Sequence, residues 1–235
     1  MCPQDTCHHQ ITKLPNMILD ALQLSLLVSI LATIGVGIAG TALGLLLARG
    51  QFPGRTVLDL LLTLPMILPP TVTGYYLILL VGRRGLLGGY IYDWTGFTFA
   101  FAWQGAALAA GVVSLPIMVR AAKAAFRDVP VDLEQASYVL GKNKFSTFLH
   151  VTLPLARQGL ISGLILSFAR SIGEFGATLM LAGNIPGRTQ TMPLAIYEAF
   201  TTGQDTMAQT LAILLTVLSG AVIVLTERSL QPRQG

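Results

Sequence analysis

Residues 134–154 read EQASYVLGKNKFSTFLHVTLP. The run carries Glu134, Lys142, Lys144 and His150, yet it keeps apolar residues at helical spacing. Leu133, Ala136 and Leu140 stand at i, i+3 and i+7, one face of a helix. Glu134, Gln135 and Tyr138 point elsewhere. Asp132 is placed to cap a helix start, and Gly141 is placed to stop one. After Lys142-Asn143-Lys144, a second apolar face is formed by Phe145, Phe148 and Leu149. Pro154 then lies where a further helix can begin. The pattern predicts two short helices with a turn at Gly141, neither long enough to span a bilayer. Each apolar face must be covered. A lipid surface and a groove on a soluble partner both satisfy that demand, and these residues alone leave both open.

The rest of the chain is a different material. Of 235 residues, 53% are hydrophobic and 11% charged, where a soluble domain has about a quarter charged. A spanning helix needs about 20 mostly apolar residues. Residues 22–48, 60–82, 97–119 and 206–226 each contain no charge. Residues 159–181 are interrupted only by Arg170 and Glu174. Five transmembrane helices in an all-α membrane bundle are therefore expected. Strands are excluded because the apolar runs are continuous and do not alternate.

The formal charge of +4 is no signal for nucleic acid; its meaning lies in where the cations sit. With the N-terminus outside, ten fall inside: Arg49, Arg55, Arg120, Lys123, Arg127, Lys142, Lys144, Arg157, Arg228 and Arg233. Four fall outside, namely Lys13, Arg83, Arg84 and Arg188. The positive-inside rule selects N-out, C-in. The expected organisation is an external tail over 1–18, a membrane domain over 19–228 with a cytoplasmic loop at 128–156, and an internal tail over 229–235. The start lacks a basic region and its first apolar run is too long for a cleaved signal, so the first span is expected to serve as its own insertion signal. Cys2 and Cys7 stand beside His8 and His9; a frayed tail is the plainer reading, and a metal site the bolder one.

Within the spans, Gly35, Gly37, Gly40 and Gly44 provide a small face for close helix packing. Pro65, Pro69 and Pro70 each remove a backbone donor from the second span. A kinked structural helix and a kinked helix lining a watery path both obey that constraint. Tyr90, Tyr92 and Trp94 suit the headgroup level as an interfacial anchor. The polar stretch 184–205 is too polar to span; Pro193 stands near the start of a short helix, an outer cap or a contact for a partner.

FARSIGEFGA (168–177) sets Arg170 and Glu174 four residues apart on one helix face. Charges at membrane depth are rare and raise a functional hypothesis by default. Arg170 could draw an anion toward a path. The reading favoured here is a mutually neutralised structural pair, because tight anion binding would oppose release. Gly173 and Gly176 permit a kink or close approach, and Ser171 could hydrate a path or bond a neighbouring helix.

The loop spacing resembles the signature of ABC importer membrane subunits, which reads EAA, three residues, G, nine residues, I-x-L-P. Gln135-Ala136-Ser137 stands at the EAA place, Gly141 follows after three residues, and Val151-Thr152-Leu153-Pro154 follows after nine more. The departures are Gln135 for Glu, with Glu134 one residue earlier, and Ser137 for Ala. Further stretches are similar to bacterial molybdate permeases: VGRRGLLG (81–88), YDWTGFTFAFAW (92–103), LPIMVRAAKAAF (115–126), LEQASYVLG (133–141) and FARSIGEFGATLMLAGNIPGRTQTMPLAIYEAF (168–200). The last is also similar to sulfate and thiosulfate permeases, and tungstate is a like dianion.

This resemblance implies a type I, MetI-like ABC importer permease of the bacterial inner membrane. It implies a homodimer of this chain, two ATP-binding subunits holding ATP and Mg, and a periplasmic molybdate-binding protein. Glu134, Gln135, Ala136, Ser137, Leu140, Gly141, Val151, Leu153 and Pro154 would then form the coupling loop. The chain has no G-x-x-x-x-G-K-[ST] phosphate loop, so it is expected to be no enzyme and to bind no cofactor itself. Two rivals are set aside. An ion-coupled secondary transporter would show paired broken helices, and one Pro-rich span has no evident mate. An intramembrane enzyme would gather a nucleophile or metal ligands, and the spans hold no His or Cys.

Overall fold

The computed structural model describes residues 4–230, with side chains for residues 17–222 and Val224. Cys2 and the side chains of Cys7, His8 and His9 lie outside the described residues. Every element among the described residues is helical. Among the described residues, four helices are long and apolar enough to cross a membrane, and a bent pair makes five if counted as one crossing.

α1 runs Gln4–Arg49. Residues expected as a tail continue its backbone from Gln4 onward. Its 46 residues measure about 70 Å, more than the ~30 Å hydrocarbon core. The second expected span is two helices, α2 (Arg55–Ile67) and α3 (Pro70–Val81), bent by 118°. A single kinked helix is thus corrected to a broken one. Pro65 is tolerated inside α2, but Pro69 and Pro70 in succession stop the ladder. Pro69 becomes the N-cap of α3, and Pro70 takes its first turn, where no N–H is needed. α4 (Gly88–Thr95) carries Trp94 and Tyr90 exposed, with Arg83 stacked 4.4 Å over the Tyr92 ring.

α5 runs Trp103–Arg127, shifted from the expected 97–119. Hydrophobicity marks the apolar zone, whereas Arg120, Lys123 and Arg127 extend the helix beyond it. In the loop, α6 covers Val131–Val139. Its N-cap is Pro130, which corrects Asp132 to a first-turn position where its charge suits the helix dipole. Gly141 has φ 79°, Lys142 N donates to Ser137 O, and Gly141 N donates to Tyr138 O. This is the Schellman closure that glycine favours. α7 (Lys144–Thr147) then passes through a π-helical turn, Phe148–Thr152, into α8 (Leu153–Ile172). The second loop helix is therefore corrected to the foot of a 29-residue helix, Lys144–Ile172. Pro154 stands in the first turn of α8, but α8 continues the run from Lys144 without a break. Pro154 lacks the N–H that would bond His150 O, and the widened turn just before it takes up the mismatch.

The fourth expected span is also broken. α8 ends at Ile172, and α9 (Gly176–Ala182) follows after Gly173–Phe175. α10 (Met192–Thr201) and α11 (Asp205–Leu230) complete the fold. The core lies between α1, α5 and α8. A methyl group added at Gly44 would stand 2.5 Å from Ala122 Cβ, and one at Gly40 would stand 2.6 Å from Met118 Cγ. Gly37 faces Leu164, while nothing lies within 4 Å of Gly35. Phe126, fully buried, meets Phe148 at 6.2 Å between ring centres.

Gly44→Leu should overpack the α1–α5 contact and cost about 1–3 kcal/mol. Thermal unfolding in detergent should show a clear fall in midpoint, and Gly35→Leu should leave it nearly unchanged.

Candidate functional site

The loop is built around one carboxylate oxygen. Glu134 Oε1 accepts from Arg49 Nη2 at 2.9 Å and from Thr152 Oγ1 at 2.8 Å. Arg49 Nη2 also donates to Val129 O at 3.3 Å. Beside them, the buried hydroxyls of Ser137 and Thr147 lie 2.9 Å apart. The candidate loop residues therefore divide. Glu134 and Ser137 turn inward, and Leu153 packs on the core below. Gln135, Ala136, Leu140 and Gly141 face outward, with Pro154 exposed and Val151 half-buried. The outward tip is apolar. Val139 is 88% exposed, Leu140 81% and Phe145 72%. The expected second face splits, since Phe148 turns to Phe126 while Phe145 and Leu149 stay exposed.

A second constellation lies within the bundle. Arg170 Nη1 meets Glu174 Oε2 at 2.7 Å. The two do not share one continuous helix, as expected from their spacing; the chain breaks at Gly173, and the pair bridges that break. Glu174 is buried, and its other oxygen accepts from Ala177 N at 2.8 Å. It thus satisfies an otherwise free donor at the start of α9. Ser171 donates to Ser167 O at 2.8 Å and to Ser114 Oγ at 3.1 Å, tying α8 to the middle of α5. Gly176 abuts Pro70, where an added methyl would stand 3.0 Å from Pro70 Cβ. Pro70, Gly173, Glu174 and Gly176 are therefore together, and Pro65 lies apart on α2.

At the opposite end from the loop, Glu198 Oε2 accepts from Asn184 Nδ2 at 2.7 Å and from Gln190 Nε2 at 2.5 Å. Met192 N donates to Ser25 Oγ at 2.7 Å, which anchors the stretch to α1. Among the described residues, no group of three or more His, Cys, Asp or Glu side chains is placed to hold a metal.

Residues 40–234 match the family described as binding-protein-dependent transport system inner membrane component. The chain belongs to this family. It is 47% identical over 209 residues to the molybdenum transport system permease protein ModB of Escherichia coli K12, covering 88% of this chain and 91% of that one. Its likeness to ModB of Haemophilus influenzae is 39% over 212 residues, covering 90% and 93%. The sulfate transport system permease protein CysW of Synechococcus elongatus is 37% identical over 206 residues, covering 88% and 72%. An inward-facing structure of the MetNI methionine ABC transporter shares the fold with a TM-score of 0.71 at 17% identity, covering 91% and 94%. A bacterial importer of alginate does so at 0.76 and 13% identity, covering 100% and 85%. The fold is that of a type I, MetI-like importer permease.

Family membership also replaces an argument that fails. The Pro-rich break has a mate, because α8–α9 is broken where α2–α3 is broken. Paired broken helices are thus present and do not count against a secondary transporter; membership of the binding-protein-dependent family does. Sequence reasoning missed Arg49 and Thr152 as partners of Glu134, and Val129 O as a second acceptor for Arg49. Arg49 reads in sequence only as one more inside cation. It also missed the pairing of Lys123 Nζ with Asp59 Oδ2 at 2.5 Å, for which no local pattern exists.

Replacing Arg170 by Met should strand the buried Glu174 carboxylate, at a cost of about 3 kcal/mol or more. The double change Arg170→Met, Glu174→Gln should be milder than either single change. Thermal unfolding of the three variants checks this; a double variant worse than both singles would show that the pair does more than neutralise itself.

Proposed function

We propose that this chain is the membrane-spanning permease subunit of an ATP-driven importer of molybdate. The observation that carries the substrate is the pattern of likeness. The two molybdenum permeases are 47% and 39% identical over 91% and 93% of their own length, against 37% over 72% for the sulfate permease. Sulfate remains the specific second reading, since that relative is still 37% identical.

In this reading the chain carries no nucleotide chemistry. Two copies pair around a central path, and separate ATP-binding subunits hold ATP and Mg. The exposed tip of Val139, Leu140 and Phe145 supports an apolar seat for those subunits. The excess of cations at that end supports placing the loop in the cytoplasm, with the N-terminus outside. Glu198 and its amide partners then lie at the outer mouth, where a delivery protein would present the anion. Closure of the ATP-binding subunits pushes the loop and turns the path outward; hydrolysis and product release reset it. The two broken helices, meeting at Pro70 and Gly176 beside Arg170, are the proposed wall of that path. At the α8–α9 break Glu174 and Gly176 are buried, while Met66, Ile67 and Pro69 at the α2–α3 break are exposed, which suits a break that faces a watery path.

Vesicles holding this chain, its ATP-binding subunits and the delivery protein should take up molybdate only with ATP. Uptake of molybdate should exceed that of sulfate at equal concentration. Equal sulfate uptake would move the substrate to the second reading. Uptake driven by a proton gradient without ATP would contradict the mechanism.

A further inference from the structure

We propose that Glu134 is a positioning residue that delivers movement of the loop tip to two membrane helices at once; the inference rests on the coupling role proposed above. Two separated parts of the chain donate to its one oxygen, which ties them both to α6. Arg49 is the last residue of α1. Thr152 closes the π-helical turn at the foot of α8. Glu134 itself sits on α6, five residues before the exposed Val139. Arg49 adds the carbonyl of Val129, the connection leading into α6.

An exposed ion pair would fix little, because each side chain could wander. This one is different in geometry. The Glu134 side chain is only 14% exposed and Thr152 is 4% exposed. The bond between Ser137 and Thr147 closes the other side of α6 against the same helix foot. With both ties in place, α6 cannot tilt about its Pro130 start or its Gly141 turn independently of its neighbours. A push on the tip therefore moves the ends of α1 and α8 together. The contact at Thr152 enters the long helix where its hydrogen-bond ladder is already widened, the place at which that helix bends most easily. Without the carboxylate, α6 would yield locally and the push would be lost.

The test uses the full chain assembled with its ATP-binding subunits, in a Cys2→Ser, Cys7→Ser background. Spin labels are placed at Leu46→Cys on α1 and Asp132→Cys in the first turn of α6, both exposed positions outside the apolar tip. Glu134→Ala should broaden the label distance distribution, and Glu134→Gln should lie between it and the parent, because an amide oxygen still accepts. Molybdate moved per ATP hydrolysed should fall by about fivefold or more in Glu134→Ala, the scale of an ordinary coupling free energy. An unbroadened distribution with unchanged uptake per ATP would overturn the proposal. If Glu134→Ala does not accumulate, Thr152→Val removes one donor at constant shape; it should broaden the same distance, and an unchanged width overturns the proposal equally. A parent complex that moves no molybdate would count against the proposed function, while the label distances would still decide the role of Glu134.

Discussion

A peptide group in hydrocarbon has no water to bond, so a membrane chain can break a helix only where protein covers the break or where the break lines a watery path. This chain breaks two helices, and both breaks are at one place. The prolines that end α2 start α3, and Gly173 ends α8 before α9 begins. The two new starts pack so closely that Gly176 leaves no comfortable room for a side chain against Pro70. Glu174 is the residue that makes the second break tenable. It gives one oxygen to the free N–H of Ala177 and the other to Arg170. The charges that look anomalous in a greasy span are there because the span is interrupted. Ser171, bonded to Ser114, then locks that interruption to the middle of α5.

The same logic of satisfied polar groups governs the loop, in a wetter setting. Glu134 faces the protein, and the hydrophobic residues of α6 face away from it. For a free-standing soluble segment that arrangement is inside out. It makes sense when the polar contacts hold the element in place and the apolar tip is left for another surface. The small-residue contacts between α1, α5 and α8 supply the rigid body against which such a loop can act.

Much of this was legible in the sequence, and the gaps have physical causes. Among the described residues, the apolar runs marked all four helices long and apolar enough to cross a membrane, and the bent pair as well, because hydrocarbon imposes a length. They misplaced the ends of α5 and α8, because Arg127 and Lys144 belong to helices that continue past the apolar zone. The stop at Gly141 was legible, since a left-handed closure needs glycine. The severity of the break at Pro69–Pro70 was not, since proline removes a bond without stating an angle. At Gly173 the glycines allow a kink, but an i, i+4 charge pair reads as continuous helix, so the full break was not legible. The neighbours of Glu134 were invisible for a simpler reason. Arg49 is 85 residues away, and no local pattern pairs residues at that distance.

The account stands on the claim that the loop tip is the seat of a separate ATP-binding subunit. Hydrogen exchange of this chain, with and without its ATP-binding subunits, tests that claim most directly. The account predicts that added subunits protect the backbone amides of residues 133–149, while those of α3 and α9 keep their rates in the absence of nucleotide. Unchanged exchange over 133–149 in an assembled complex would contradict it.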